Sequence, residues 1–164
     1  MSAGGLELIT RSPNETQAMA AALAALCRPN DVIGLEGTLG SGKTCFVKGL
    51  AAGLGVEDRG KVTSPSFVLL RSYAGRLALH HFDAYRLRGA GEMERIGCAE
   101  TFESGGVSVV EWADHVAACL PSDRFVLAIT VTGPTERRLV LTAVGPGPES
   151  RLDAFRQALS PWRL

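Results

Sequence analysis

The sequence predicts an α/β protein in three layers, a mixed and partly parallel central sheet flanked by helices. Two observations predict it. Short apolar runs alternate with helix-forming runs along the chain, the order that lays helices on a sheet. A glycine-rich loop, Gly37 to Gly42, falls between one such strand and one such helix.

Leu6 to Thr10 alternates like a short strand. Ser12-Pro13-Asn14-Glu15 then reads as a helix start, with a capping Ser, Pro at the first helical position and Glu completing a capping box. The Ala- and Leu-rich run Met19 to Cys27 continues that helix, and Pro29-Asn30-Asp31 ends it in a turn. Val32 to Leu35 is a short apolar strand and Lys43 to Leu54 a helix, closed by Gly55 at a left-handed position. Phe67 to Tyr73 and Arg76 to Phe82 flank Ala74-Gly75 as a hairpin. A short helix is expected within Glu92 to Glu103. Val107 to Val110 is a buried strand that delivers Glu111 and Trp112. Phe125 to Val131 and Leu139 to Val144 form a second hairpin around Gly133 to Glu136, and Leu152 to Leu159 a closing helix.

No repeat, charge block or low-complexity linker divides the 164 residues, so one domain over 1–164 is expected. Lys plus Arg and Asp plus Glu number 17 each. That balance argues against a protein that grips nucleic acid by bulk charge, which needs a surplus of Lys and Arg. The start, Met1 to Gly5, lacks a signal-peptide pattern, and no apolar run nears the roughly 20 residues of a membrane span. A cytoplasmic protein without membrane attachment is the expectation. Cys27, Cys45, Cys98 and Cys119 are scattered, with no C-x-x-C pair, and read as free thiols rather than a metal site.

Gly37-Thr38-Leu39-Gly40-Ser41-Gly42-Lys43-Thr44 matches G-x-x-x-x-G-K-[ST] in full. Glycines let the backbone curl until successive N–H groups face inward around phosphate oxygens. The helix that follows adds unpaired N–H groups and the positive end of its dipole. Lys43 supplies a mobile charge for the β- and γ-phosphates, and the Thr44 hydroxyl can ligate Mg²⁺. The expected fold is therefore P-loop NTPase-like, with a nucleotide site at Gly37 to Cys45. Such a site needs a carboxylate on a second strand. Glu111 and Asp83 both end apolar strands and are the two candidates. Thr63-Ser64-Pro65-Ser66 either reaches the γ-phosphate as a switch-like loop or makes an ordinary turn. His80, His81, Tyr85 and Trp112 read as packing residues.

Leu39-Gly40-Ser41-Gly42-Lys43-Thr44, Thr63-Ser64-Pro65-Ser66-Phe67, His81-Phe82-Asp83-Ala84-Tyr85-Arg86-Leu87 and Val110-Glu111-Trp112, in that order, resemble the signature of the TsaE (YjeE) family. The resemblance spans roughly residues 6 to 145. It implies a small bacterial P-loop ATPase that uses ATP and Mg²⁺ in making threonylcarbamoyladenosine (t6A) in tRNA. In that family the chain works with the TsaD–TsaB pair, which transfers the group and supplies most of the tRNA contact. Carried over, Lys43, Asp83 and Glu111 are the catalytic residues, with Thr44 and Glu111 on the magnesium. Ser12 resembles the family's N-terminal segment near the adenine, and Arg138 an Arg of the second hairpin that approaches the nucleotide. Thr63, Ser64, Ser66, Tyr85 and Trp112 become switch-like or partner-facing residues. Ser41 and Cys45 depart from the family's usual residues, without removing a group that a backbone cradle needs. Arg88 to Glu92 is richer in glycine than the family's acidic stretch, which leaves the local helix start open.

Two other readings fit the loop alone. A small-molecule kinase of shikimate-kinase type would need an acceptor site and an Arg-bearing lid. No D-x-D follows the second strand, and Gly105-Gly106 is the nearest approach to a triple glycine. A nucleotide-gated interaction module would bind ATP and hydrolyse it only incidentally.

Overall fold

The computed structural model describes residues 5–57, 62, 63, 65 and 69–164. Among the described residues, seven strands form one sheet in the order β1-β7-β6-β2-β5-β4-β3. They are β1 (Leu6–Thr10), β2 (Val32–Glu36), β3 (Leu70–Tyr73), β4 (Leu79–Asp83), β5 (Val107–Glu111), β6 (Arg124–Val131) and β7 (Arg137–Val144). The centre is parallel: β2 pairs with β5 and β6, and β5 with β4. Both margins are antiparallel, β3 on β4 and β6-β7-β1. At one edge a bridge from Arg163 to Leu8, and the Leu164 N–H on the Glu7 carbonyl, partly cover β1. Covering an edge in this way blocks pairing with another chain.

The strand period of two sorts the side chains into two cores. One face carries Leu8, Ile33, Leu35, Val109, Leu127 and Leu139 beneath α1 (Pro13–Ala24), α2 (Lys43–Gly53) and, toward the C-terminus, α6 (Leu152–Ala158). The other carries Val32, Phe82 and Val110 beneath α3 (Ala90–Arg95), α4 (Cys98–Phe102) and the 3₁₀ helix Ala113–Cys119. This is the mixed sheet between helical layers that the alternation predicts. Among the described residues, no helix is long and apolar enough to cross a membrane. All four cysteines are free.

Helix α1 begins as its sequence demands. The Ser12 Oγ accepts from the Glu15 N–H at 3.1 Å, and Pro13 opens the helix. The Glu15 carboxylate closes the box one residue early, accepting from the Arg11 N–H at 3.2 Å. Helices α1 and α2 cross closely because α2 presents glycine: a Cβ on Gly49 would lie 2.4 Å from the Gln17 carbonyl oxygen.

Differences from the sequence expectations have local causes. The expected helix within Glu92–Glu103 is two short helices, α3 and α4, divided at Gly97, whose φ of +79° leaves the helical region. Helix α3 starts at Ala90 despite its glycines, with the Glu92 carboxylate accepting from the Arg88 N–H. The second strand of the first hairpin begins at Leu79 rather than Arg76; the expected start of its first strand at Phe67 lies outside the described residues. Helix α1 ends at Ala24 rather than Cys27. The 3₁₀ helix after Trp112 and the one-turn helix α5 (Pro146–Glu149) were not expected from the sequence.

Candidate functional site

The carboxyl ends of the parallel strands converge on the glycine-rich loop, where a ligand belongs in an open α/β sheet. The loop leaves β2 after Glu36 and enters α2 at Lys43. Gly42, the residue preceding the helix, has φ +108°, which places it in the left-handed region that only glycine enters freely. Gly37 faces a different constraint: a Cβ there would meet the Ile129 carbonyl oxygen at 2.8 Å.

Lys43 is buried, and its Nζ donates to the Gly37 and Thr38 carbonyls at 2.8 and 2.9 Å. The ammonium also sits 4.0 Å from the centroid of the Trp112 ring, a cation–π distance. Burial pulls the Lys43 pKa below its ordinary value, against the opposing charges of Glu111, Asp83 and Asp114. Trp112 takes this position through a left-handed backbone, φ 59°, a conformation costing a non-glycine residue ~1–3 kcal/mol. The ring also meets Tyr85 and His115 in tilted contacts, with centroids 5.0 and 5.4 Å away.

Glu111 and Asp83 occupy paired positions on adjacent parallel strands, on the sheet face that carries α2, and both are buried. The Thr44 hydroxyl, on the first turn of α2, lies 3.3 Å from each Glu111 carboxylate oxygen. Asp83 Oδ1 accepts from the Tyr85 N–H at 2.9 Å. Lys43, Thr44, Asp83, Tyr85, Glu111 and Trp112 thus line one cleft of about 430 Å³ together with the loop. A smaller cavity of about 100 Å³ shares Gly42 and Cys45 with it and is walled by Ser12, Thr16, Thr135 and Arg137. Ser12 thus walls a cavity that borders the loop. Cys45 faces α1, its thiol 3.6 Å from the Pro13 carbonyl. Leu39 is three-quarters exposed at the tip of the loop, and Ser41 is buried beneath it.

The second hairpin corrects one expectation. Arg137, not Arg138, reaches the loop: its Nε donates to the Ser41 carbonyl at 2.9 Å, and its guanidinium also holds the Gly133 and Glu136 carbonyls. Arg138 pairs with Glu7 of β1. Successive residues of a strand point to opposite faces, so a shift of one position decides which arginine meets the loop.

His81, which reads from the sequence as a packing residue, also belongs to the site. It is buried, and its Nε2 lies 2.5 Å from Glu111 Oε2. The available signal was its place two residues before Asp83, hence on the same strand face. Thr63 is exposed; Ser64 and Ser66 lie outside the described residues. Among the described residues, no three His, Cys, Asp or Glu side chains cluster as a metal-binding group.

Sheet order and loop define the class: a P-loop NTPase-like α/β protein. The family model for "Threonylcarbamoyl adenosine biosynthesis protein TsaE" matches residues 10–139. The chain belongs to the TsaE family of t6A biosynthesis proteins. The TsaE of Bacillus subtilis is 44% identical over 137 residues, covering 83% of this chain and 84% of that one. The TsaE of Treponema pallidum is 38% identical over 136 residues, 83% of this chain and 99% of the relative. A solved structure, the crystal structure of Bacillus subtilis YdiB, superposes with a TM-score of 0.75 at 37% identity, over 96% of this chain and 95% of that chain.

Proposed function

We propose that this chain is the ATP-binding and ATP-hydrolysing subunit of the t6A machinery, acting with Mg²⁺ to support turnover of a TsaD–TsaB complex in the cytoplasm. The observation that carries the reading is the Thr44 hydroxyl set against the Glu111 carboxylate at the mouth of the glycine-rich loop. The residues fit the proposed ligands. Thr44 and Glu111 offer hard oxygen donors, the set that suits Mg²⁺. Ser41 Oγ is buried within the loop and has no hydrogen-bond partner among the described residues. The loop's left-handed glycines free its N–H groups to face a phosphate.

Each side chain then has a part. Loop N–H groups and the start of α2 bind the phosphates. Lys43 exchanges its two carbonyl partners for phosphate oxygens, which accept more strongly because they are charged. Thr44 and Glu111 would hold the cation, which would supply positive charge to the phosphates. Asp83, beside Glu111, orients the attacking water. Arg137 steadies the loop through the Ser41 carbonyl. Ser12 and its neighbours wall the nucleoside end. The rim at exposed Tyr85 and half-buried Trp112 faces the TsaD–TsaB pair, and tRNA is gripped mainly by those partners, in keeping with a net charge of zero.

The test is steady-state ATP hydrolysis by the purified chain, alone and with TsaD–TsaB from the same source, with Lys43→Ala as the blank. Partner-stimulated hydrolysis that Lys43→Ala abolishes is the expected result. ATP binding without stimulated hydrolysis would favour the nucleotide-gated module. Turnover unchanged in Lys43→Ala would remove the site assignment.

A further inference from the structure

The His81–Glu111 contact joins two buried polar side chains from neighbouring parallel strands. His81 lies opposite Val109 and Asp83 opposite Glu111, so the imidazole stands one pleat behind the two carboxylates on the same face of the sheet. An ionised carboxylate only accepts, so Nε2 carries the hydrogen and donates it to Glu111 Oε2 across 2.5 Å. Thr44 approaches the same carboxylate from α2. Glu111 is thus held from two elements, and Oε1 is the oxygen that His81 does not take. The other ring nitrogen, Nδ1, is buried and has no hydrogen-bond partner among the described residues. Packing by itself gives no reason for an imidazole there, because an apolar side chain would fill the space without an unpartnered nitrogen. The contact with Glu111 does.

Resting on the nucleotide reading above, we propose that His81 is the positioning residue of the cation site. By donating to Oε2 it holds the Glu111 side chain in one orientation and leaves Oε1 beside the Thr44 hydroxyl for Mg²⁺. The bond ties the strand β4, which ends in Asp83, to the carboxylate on β5. Cation affinity therefore depends on a side chain that does not touch the cation. Partners that orient a metal-binding side chain in this way are typically worth 10–100-fold in metal affinity.

The experiment measures binding of a fluorescent ADP analogue to the full chain, without divalent metal and across an Mg²⁺ titration, for the parent and three variants. His81→Gln can place its amide N–H near the position of Nε2. His81→Asn places its amide near Nδ1, out of line with Glu111, and His81→Leu removes the donor. The proposal expects metal-free affinity within about twofold of the parent in all three, and a half-saturating Mg²⁺ concentration raised about tenfold or more in Leu and Asn, with Gln recovering most of the loss. A Mn²⁺ titration followed by electron paramagnetic resonance should give the same order without any turnover. An unchanged Mg²⁺ requirement in His81→Leu would overturn the proposal. Equal behaviour of Gln and Asn would do so as well, since a packing role does not distinguish the two amide positions. Failure of the parent to bind the analogue at all would instead overturn the nucleotide reading.

Discussion

Arg137 Nε donates to the Ser41 carbonyl oxygen over 2.9 Å, and through that bond the last antiparallel hairpin grips the phosphate loop. The same guanidinium takes two carbonyls of its own turn, Gly133 and Glu136, so it is oriented before any ligand arrives. The loop is thereby tied to the sheet from outside its own strand–helix unit.

Arg137→Ala should weaken nucleotide binding by about 10- to 100-fold, since a hydrogen bond from a charged donor is worth roughly 1.5–3 kcal/mol and 1.4 kcal/mol is a factor of ten. Arg138→Ala should change it by less than about twofold, because an exposed ion pair with Glu7 contributes little. Calorimetric titration with ADP decides between them. The opposite ranking would restore Arg138 to the nucleotide.

Asp83 and Glu111 are neighbours in register yet should fail differently. Glu111→Gln should retain nucleotide and lose Mg²⁺-dependent hydrolysis. Asp83→Asn should cut turnover by about 100-fold or more, the usual share of a group that positions or takes a proton, with a much smaller effect on binding. Single-turnover kinetics beside equilibrium binding separates the two. Parallel losses of binding and turnover in Asp83→Asn would make Asp83 a structural residue, bonded to the Tyr85 N–H.

The crossing of α1 and α2 leaves no room at Gly49. Gly49→Ala should destabilise the chain by about 1–3 kcal/mol, because the new Cβ meets backbone that cannot give way. Gly91→Ala, in α3 with nothing within 4 Å of its Cβ, should stabilise by up to about 1 kcal/mol through helix propensity. Urea unfolding measures both, and stabilisation by Gly49→Ala would contradict the close crossing.

Burial, reinforced by the nearby charge of Asp31, pushes the Cys27 thiol from 9.0 up to about 12. The folded state then keeps a proton that the unfolded chain releases above 9.0, so stability is complete below that pH and declines as pH rises toward 12. Urea midpoints measured on both sides of pH 9.0 should fall on the alkaline side, and less steeply for Cys27→Ala. Identical slopes would show that this thiol does not contribute.

Local patterns carried much of the architecture and the residue types of the candidate site. Ser12-Pro13 with Glu15 marks the start of α1 because capping is a matter of a few adjacent residues. The glycine-rich loop is legible for the same reason: its strand, turn and helix are consecutive, and its chemistry resides in its own backbone, Lys43 and Thr44. Glu111 and Asp83 were readable as polar ends of apolar strands. Strand order, the ring of Trp112 over Lys43 and the choice of Arg137 over Arg138 were not. Each depends on which strands become neighbours and on a register in which one residue's shift exchanges the two faces. His81 shows the division most plainly. A histidine in an apolar strand reads as core, and only the parallel pairing of β4 with β5 brings its nitrogen to a carboxylate thirty residues away. Local sequence determined the loop and its residue types; long-range packing decided which side chains that loop would meet.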